Sequence, residues 1–247
     1  MNIRVRNPHS VLAALETRPD DVVEICASQA PQESDAWKKV VRLAKELRIS
    51  VTGPKAQSKN ARDFKEDGRQ GGNDAAIKER EGISVEELFR DAPKRANGSG
   101  LWLALDCLQD PHNVGAIFRA AAFFGVQGIL LTQERSAPIS QTVYDVASGG
   151  VEYVPFTLQT NLQRGFEVAK EAGLWILGAT EHEGDELDKI KPDRPWLLVL
   201  GNEEKGMRRL TTESCDLLCK IPSQGKVTSL NVSVAAGILI SHFSGKS

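Results

Sequence analysis

From Leu101 onward, short runs that are apolar at successive positions alternate with segments that are apolar only at helical spacing. The runs are Leu101–Asp106, Gly128–Thr132, Leu174–Leu177, Trp196–Leu200 and Leu217–Ile221. A strand without a polar face must be covered on both sides, which is the condition of a parallel sheet. Helices are expected between and after the runs, over Asn113–Phe124, Ser140–Ala147, Asn161–Glu171 and finally Leu230–Phe243. The rhythm predicts an α/β domain: a mostly parallel sheet with helices on both faces.

The preceding residues read as a small α/β unit. Ser10–Leu15 has helical spacing, and Asp21–Cys26 is rich in β-formers. Asp35–Leu47 is amphipathic, with Trp37, Val40, Val41, Ala44 and Leu47 on one side. Val51 suits a short strand. Lys59–Ala75 is charged and contains Gly68, Gly71 and Gly72; a short helix is expected over Val85–Arg90. The polar, glycine-rich Lys94–Gly100 reads as a flexible connector. The expected organisation is residues 1–78 as an N-terminal unit, 79–98 as a linker and 99–247 as the main domain.

With 40% apolar and 26% charged residues, 247 residues can build packed cores. No apolar run approaches the ~20 residues of a membrane span. Met1–Pro8 lacks the apolar stretch of a secretory signal. Cys26, Cys107, Cys215 and Cys219 are too few and too scattered for a disulfide scaffold, which leads to the expectation of a cytoplasmic protein with free thiols. The net charge of −2 argues against a protein that coats nucleic acid. The charge is segregated, however: residues 37–69 hold 10 basic and 4 acidic side chains, enough for a polyanion contact.

Ligands of open α/β sheets bind beyond the C-terminal ends of strands, and three such ends carry unusual residues. After Leu101–Asp106, Asp110 can cap a helix and Pro111 suits its first turn. That helix carries Asn113, Gly115 and Arg119; a glycine four residues before the arginine would admit a ligand or a backbone beside the guanidinium. After Trp196–Leu200 comes Gly201-Asn-Glu203-Glu-Lys-Gly206. Met207 and Arg208 stand where a P-loop needs Lys and Ser/Thr, so that reading fails. After Leu217–Ile221, a glycine-containing loop leads to a helix expected near Ser229, with Asn231 in its first turn. Capping alone would explain Ser229, and a turn carboxylate would explain Glu203. Neither zinc-site spacing nor a Gly-x-Ser-x-Gly elbow occurs, so no metal ligands are assigned.

Taken together, Asn113-Val-Gly-Ala-Ile-Phe-Arg119 with Phe124-Gly125, Gly201-Asn-Glu203-x-x-Gly206, and Ile221-Pro222 leading to Ser229-Leu-Asn-Val-Ser-Val-Ala235 resemble the SpoU (TrmH) family of RNA ribose 2′-O-methyltransferases. The resemblance covers residues 99–247. The unit opening with Asn7-Pro-His-Ser-Val-Leu-Ala-Ala-Leu is similar, more loosely, to the small RNA-binding domain of the branch that modifies guanosine in 23S rRNA. The Lys59–Gly72 stretch departs from that domain's pattern. The resemblance implies a SPOUT-type trefoil-knotted domain, S-adenosylmethionine as cofactor, RNA as partner and a homodimer with active sites near its interface. It implies catalytic roles for Arg119, Asn113, Glu203, Ser229 and Asn231, with Arg119 acting at the 2′-hydroxyl. It implies cofactor contacts at Gly201, Ile221 and Leu230, with Thr180 after its strand as a further candidate. A tRNA substrate, or a non-catalytic ribosome-assembly factor on the same fold, are the alternatives.

Overall fold

The structure is a computed structural model that describes residues 1–28, 34–53, 72–95 and 99–244. Most of the charged Lys59–Ala75 stretch, and with it Lys59, Arg62, Lys65 and Arg69 of the basic cluster, lies outside the described residues. Among the described residues, no helix is long and apolar enough to cross a membrane.

The N-terminal unit comprises β1 (Asn2–Val5), α1 (Pro8–Thr17), β2 (Val22–Cys26), α2 (Asp35–Glu46), β3 (Val51–Thr52) and β4 (Asp74–Lys78). Its four-stranded sheet has the order β1-β4-β2-β3, antiparallel except for the β2–β3 pair. The strands β1 and β4 were not legible in the sequence. Asn2–Val5 alternates polar and apolar residues over too few positions to stand out, and Asp74–Lys78 is masked by its charged ends. α2 buries Trp37, Val40 and Ala44 and turns Lys38, Lys39, Arg42 and Lys45 outward, as its period requires.

Next come α3 (Val85–Leu88) and α4 (Ala92–Arg95). Within the stretch expected as a linker, Val85, Leu88, Phe89 and Ala92 are buried in one cluster with Trp102, Leu130 and Phe166.

The main domain runs β5 (Gly100–Leu105), α5 (Pro111–Phe124), β6 (Gly128–Thr132), α6 (Gln141–Ala147), α7 (Gly150–Tyr153), β7 (Phe156–Gln159), α8 (Gln163–Glu171), β8 (Trp175–Thr180), β9 (Asp185–Glu186), β10 (Pro195–Leu200), α9 (Arg209–Ser214), β11 (Leu217–Lys220) and α10 (Val232–Ser244). Its seven-stranded sheet is parallel throughout, in the order β7-β6-β5-β10-β8-β11-β9. Period-two alternation explains why its strands are apolar at every position. On β5, Leu101, Leu103 and Leu105 enter the core beneath α5 and α6, while Trp102 and Ala104 enter the opposite cluster. β10 divides in the same way, Trp196, Leu198 and Leu200 against Leu197 and Val199.

The N-terminal unit is bolted to α6 and α7 by polar contacts, those of Ser10 fully buried. The Asp145 carboxylate accepts from the backbone N–H groups of Arg6 and Asn7 at 2.7 and 2.9 Å. Ser10 donates to the Tyr144 carbonyl at 2.6 Å and accepts from the Gly149 N–H at 2.8 Å. Arg18 grips the buried Glu152 with two parallel bonds of 2.7 and 2.8 Å. Arg80 donates to the carbonyls of Val151 and Val154.

Candidate active site

The chain leaves β5 towards β6 on one side, while β10 flanks β5 on the other. Such a reversal opens a crevice at the strands' C-terminal ends. The β5 end continues through Asp106 to the Asp110 cap, whose carboxylate accepts from the His112 N–H at 2.8 Å. Pro111 opens α5 as the sequence suggested.

The β10 end is a loop closed on itself. Asn202 and Gly206 exchange backbone bonds of 3.0 and 2.9 Å, and the Asn202 side chain accepts from the N–H groups of Glu204 and Lys205 at 3.1 Å. A Cβ on Gly201 would lie 2.2 Å from the Met207 nitrogen, so only glycine permits this closure.

The third segment differs from expectation. α10 starts at Val232 and not near Ser229. Asn231 supplies the cap, its Oδ1 accepting from the Ser233 N–H at 2.9 Å, and Ser229 stays outside the first turn.

The three segments meet. Asn231 Nδ2 donates to Asn113 Oδ1 at 3.0 Å, across 118 residues. Asn113 Nδ2 donates to Glu203 Oε1 at 3.1 Å, across 90 residues. Glu203 also accepts from the Asn202 amide at 3.2 Å and, more distantly, from the N–H groups of Gln109 and Asp110 at the entry to α5. The carboxylate thus does serve a helix start, but of a helix 90 residues away.

Beside this chain of bonds lies a cleft of about 370 Å³, within the range of small-molecule sites. Thr180, Gly201, Glu203, Ile221, Ser229 and Leu230 line it, from the ends of β8, β10 and β11 and the loops beyond. Asn113 and Asn231 sit behind it, joined to it through Glu203. Arg119 is not among its lining residues. The guanidinium is exposed, about 9 Å of helix rise beyond Asn113. Gly115, expected to make room beside Arg119, does so for a helix instead: a Cβ there would meet Val146 Cβ at 2.7 Å and the Val143 carbonyl at 2.9 Å, both on α6.

Two features escaped the sequence reading. Glu181, Glu183 and Glu204 join Glu203 on the cleft wall, against Lys205 as the one cation among the described lining residues, giving it negative character. The run of acids just after β8 was the available signal. The other is Asp106, fully buried and paired with Arg208. Burial pushes the Cys215 and Cys219 thiols up to about 12, so both stay protonated and unreactive.

Residues 100–241 match the SpoU rRNA Methylase family. A Nitrosomonas europaea protein named 23S rRNA (guanosine-2′-O-)-methyltransferase RlmB is 50% identical over 140 residues, 57% of this chain and 54% of its own length. The alignment thus spans about half of that relative. A Vibrio parahaemolyticus protein of the same name is 34% identical over 233 residues, 94% of this chain and 92% of its own. Among solved structures, the SpoU methyltransferase AviRb from Streptomyces viridochromogenes, in complex with the cofactor AdoMet, superposes with a TM-score of 0.73 at 19% identity, covering 98% of this chain and 89% of AviRb. Ordered motifs, a parallel α/β frame and these matches agree: the chain belongs to the SpoU rRNA methylase family.

Proposed function

We propose that this protein is an S-adenosylmethionine-dependent methyltransferase acting on a ribose 2′-hydroxyl of RNA, a guanosine of 23S rRNA, in the cytoplasm. The observation that carries the reading is the Asn231–Asn113–Glu203 chain, which ties three distant segments to the wall of one cleft. The Vibrio parahaemolyticus relative, similar through the N-terminal unit as well, supports the ribosomal substrate.

The cleft fits the cofactor chemically. Leu200, Ile221 and Leu239 form apolar walls suited to an adenine ring, and the carboxylates suit a cationic ligand. Gly201, Ile221 and Leu230 would hold the nucleoside, with Thr180 and Ser229 at the polar rim. When bound, the cofactor supplies an electrophilic methyl group on a positively charged sulfur. Asn113 and Asn231 hold the walls in register through Glu203, which lines the cleft and orients the ribose edge. Arg119 remains charged, since a guanidinium gives up its proton only above pH ~12. Its role is to bind the adjoining phosphate and stabilise the alkoxide that develops as the hydroxyl gives its proton to water.

Arg119 reaches a cleft in a homodimer. Phe123 on α5 is 81% exposed, and Val234 and Ile238 on α10 are 51% and 40% exposed, a patch that favours a covering copy. α10 packs on α5, so this patch borders Arg119. Each copy's arginine then completes the other copy's cleft. In the same reading, the loops at 201–207 and 221–231 are the crossing segments of the trefoil knot. The expected domain division, with residues 1–78 selecting RNA, belongs to this proposal.

Mapping 2′-O-methylation across total RNA from cells with and without the protein tests the reading. One 23S rRNA guanosine should lose its methyl group; an unchanged rRNA pattern overturns the proposal. The exposed stripe Lys38, Lys39, Arg42 and Lys45 on α2 is the expected phosphate contact. Changing all four to glutamine should weaken RNA binding and lower the slope of log affinity against log salt by up to ~3, at ~0.7 per phosphate lost from a single strand. A filter-binding salt series giving the wild-type slope would place the RNA elsewhere.

A further inference from the structure

Besides the Glu203 bonds, the loop that walls the cleft is held at both stems by one buried dipeptide, Asp106-Cys107, directly after β5. Asp106 is 0% exposed. Its Oδ2 accepts from the Arg208 N–H at 2.9 Å, and its Oδ1 accepts from Arg208 Nε at 2.7 Å, with Nη2 also at 2.7 Å. Arg208 is the residue at which the loop ends. At the other stem, Asn202 Nδ2 donates to the Cys107 carbonyl at 2.9 Å. Cys107 adopts φ +60°, a left-handed conformation that a non-glycine residue adopts at a cost.

A buried ion pair is poor evidence for stability, because apolar side chains of similar volume would pack there as well or better. What the charges add is direction: three short bonds from a fixed strand end set both the backbone and the side chain of Arg208. The strongest contacts of the Asp106 carboxylate go to Arg208, the residue that joins this loop to α9. The loop in turn supplies Gly201 and Glu203 to the cleft.

We propose that Asp106 is a positioning residue for the cofactor cleft, acting through Arg208 to hold the 201–207 loop in its binding shape. The proposal rests on the methyltransferase reading for its consequence but not for its mechanical core. Asp106→Asn keeps the shape and removes the charge and one acceptor. Arg208→Lys, altered from the half-exposed side, keeps the charge and removes the fork.

Two readouts test it. In ligand-free protein, hydrogen exchange at the Asn202 and Gly206 amides should quicken in both variants, while β5 and β6 amides keep their protection. By calorimetry, S-adenosylmethionine should bind roughly tenfold or more weakly. In steady state, KM for cofactor should rise with KM for RNA unchanged and kcat largely retained at saturation. Wild-type loop exchange and wild-type cofactor affinity in Asp106→Asn would overturn the proposal. So would exchange that quickens equally across β5 and β6, which would mark a residue of general stability. If the unmodified protein binds no S-adenosylmethionine, the methyltransferase reading falls, and the exchange result alone decides whether Asp106 clamps the loop.

Discussion

Replacing Arg119 by alanine is expected to slow single-turnover RNA methylation by about a hundred- to a thousandfold, the usual cost of removing one group that stabilises developing negative charge. Cofactor affinity should not change, because the role proposed for Arg119 is at the RNA phosphate and the developing alkoxide, not at the cofactor. Nor should the melting temperature, because the exposed side chain makes no hydrogen bond or ion pair with the described residues. Arg119→Lys should recover little, since an ammonium lacks the planar fork that spans a phosphate and an alkoxide. Mixing Arg119→Ala with a cleft variant, Gly201→Ala, tests the dimer. Mixed dimers would carry one intact site, and a statistical mixture should regain roughly a quarter of the wild-type rate. Near-normal turnover by Arg119→Ala alone would remove the arginine from the mechanism. Failure of the mixture to regain activity would count against sites shared between copies.

The second large effect falls on stability. Glu152 is 1% exposed at its side chain, and both its oxygens are taken by Arg18, itself only 15% exposed. Burial works against the Arg18 charge, but the Glu152 hydrogen bond and charge outweigh it and raise its pKa above the ordinary value. Glu152→Ala leaves that part-buried guanidinium with only the Asp21 carboxylate, at 3.2 Å, as counter-charge, which should cost about 3 kcal/mol. In a chain of this size, that loss is a fall in melting temperature on the order of 10 °C. The double variant Arg18→Met/Glu152→Leu should recover most of the loss, because the cost lies in a buried charge left with too little compensation and not in the missing contact. A Glu152→Ala melt within a degree or two of wild type would show that water reaches this corner. The same pair joins the N-terminal unit to α7, and a Cβ on Gly150 of that helix would lie 2.5 Å from the Phe118 carbonyl and 3.0 Å from the Arg119 nitrogen. The unit proposed to choose the RNA is therefore braced, through α7, against the helix that carries Arg119.

Local chemistry made much of this legible in advance. β5, β6 and β10 show in the sequence because a strand covered on both faces must be apolar at every position. α5 shows because Asp110, Pro111 and Gly125 mark its two ends with groups that suit a cap, a first turn and a left-handed stop. The site segments show because glycine at 201 and polar residues at 203 and 231 break otherwise apolar patterns. Short strands such as β1 and β4 do not show, since a few residues carry too little periodicity and only their partners decide the pairing. The purpose of Gly115, the start of α10 and the clamp at Asp106 were equally hidden. Each depends on what approaches from a distant part of the chain: Val146 for Gly115, Asn113 for the side chain that caps α10, and Arg208 for Asp106. The sequence by itself determined the alternating α/β frame and which residue types stand at its strand ends, because burial period and capping are nearest-neighbour effects. Tertiary structure alone decided which of those residues meet, because contacts across 90 to 118 residues follow from strand order, and strand order is set by the packing of the whole sheet.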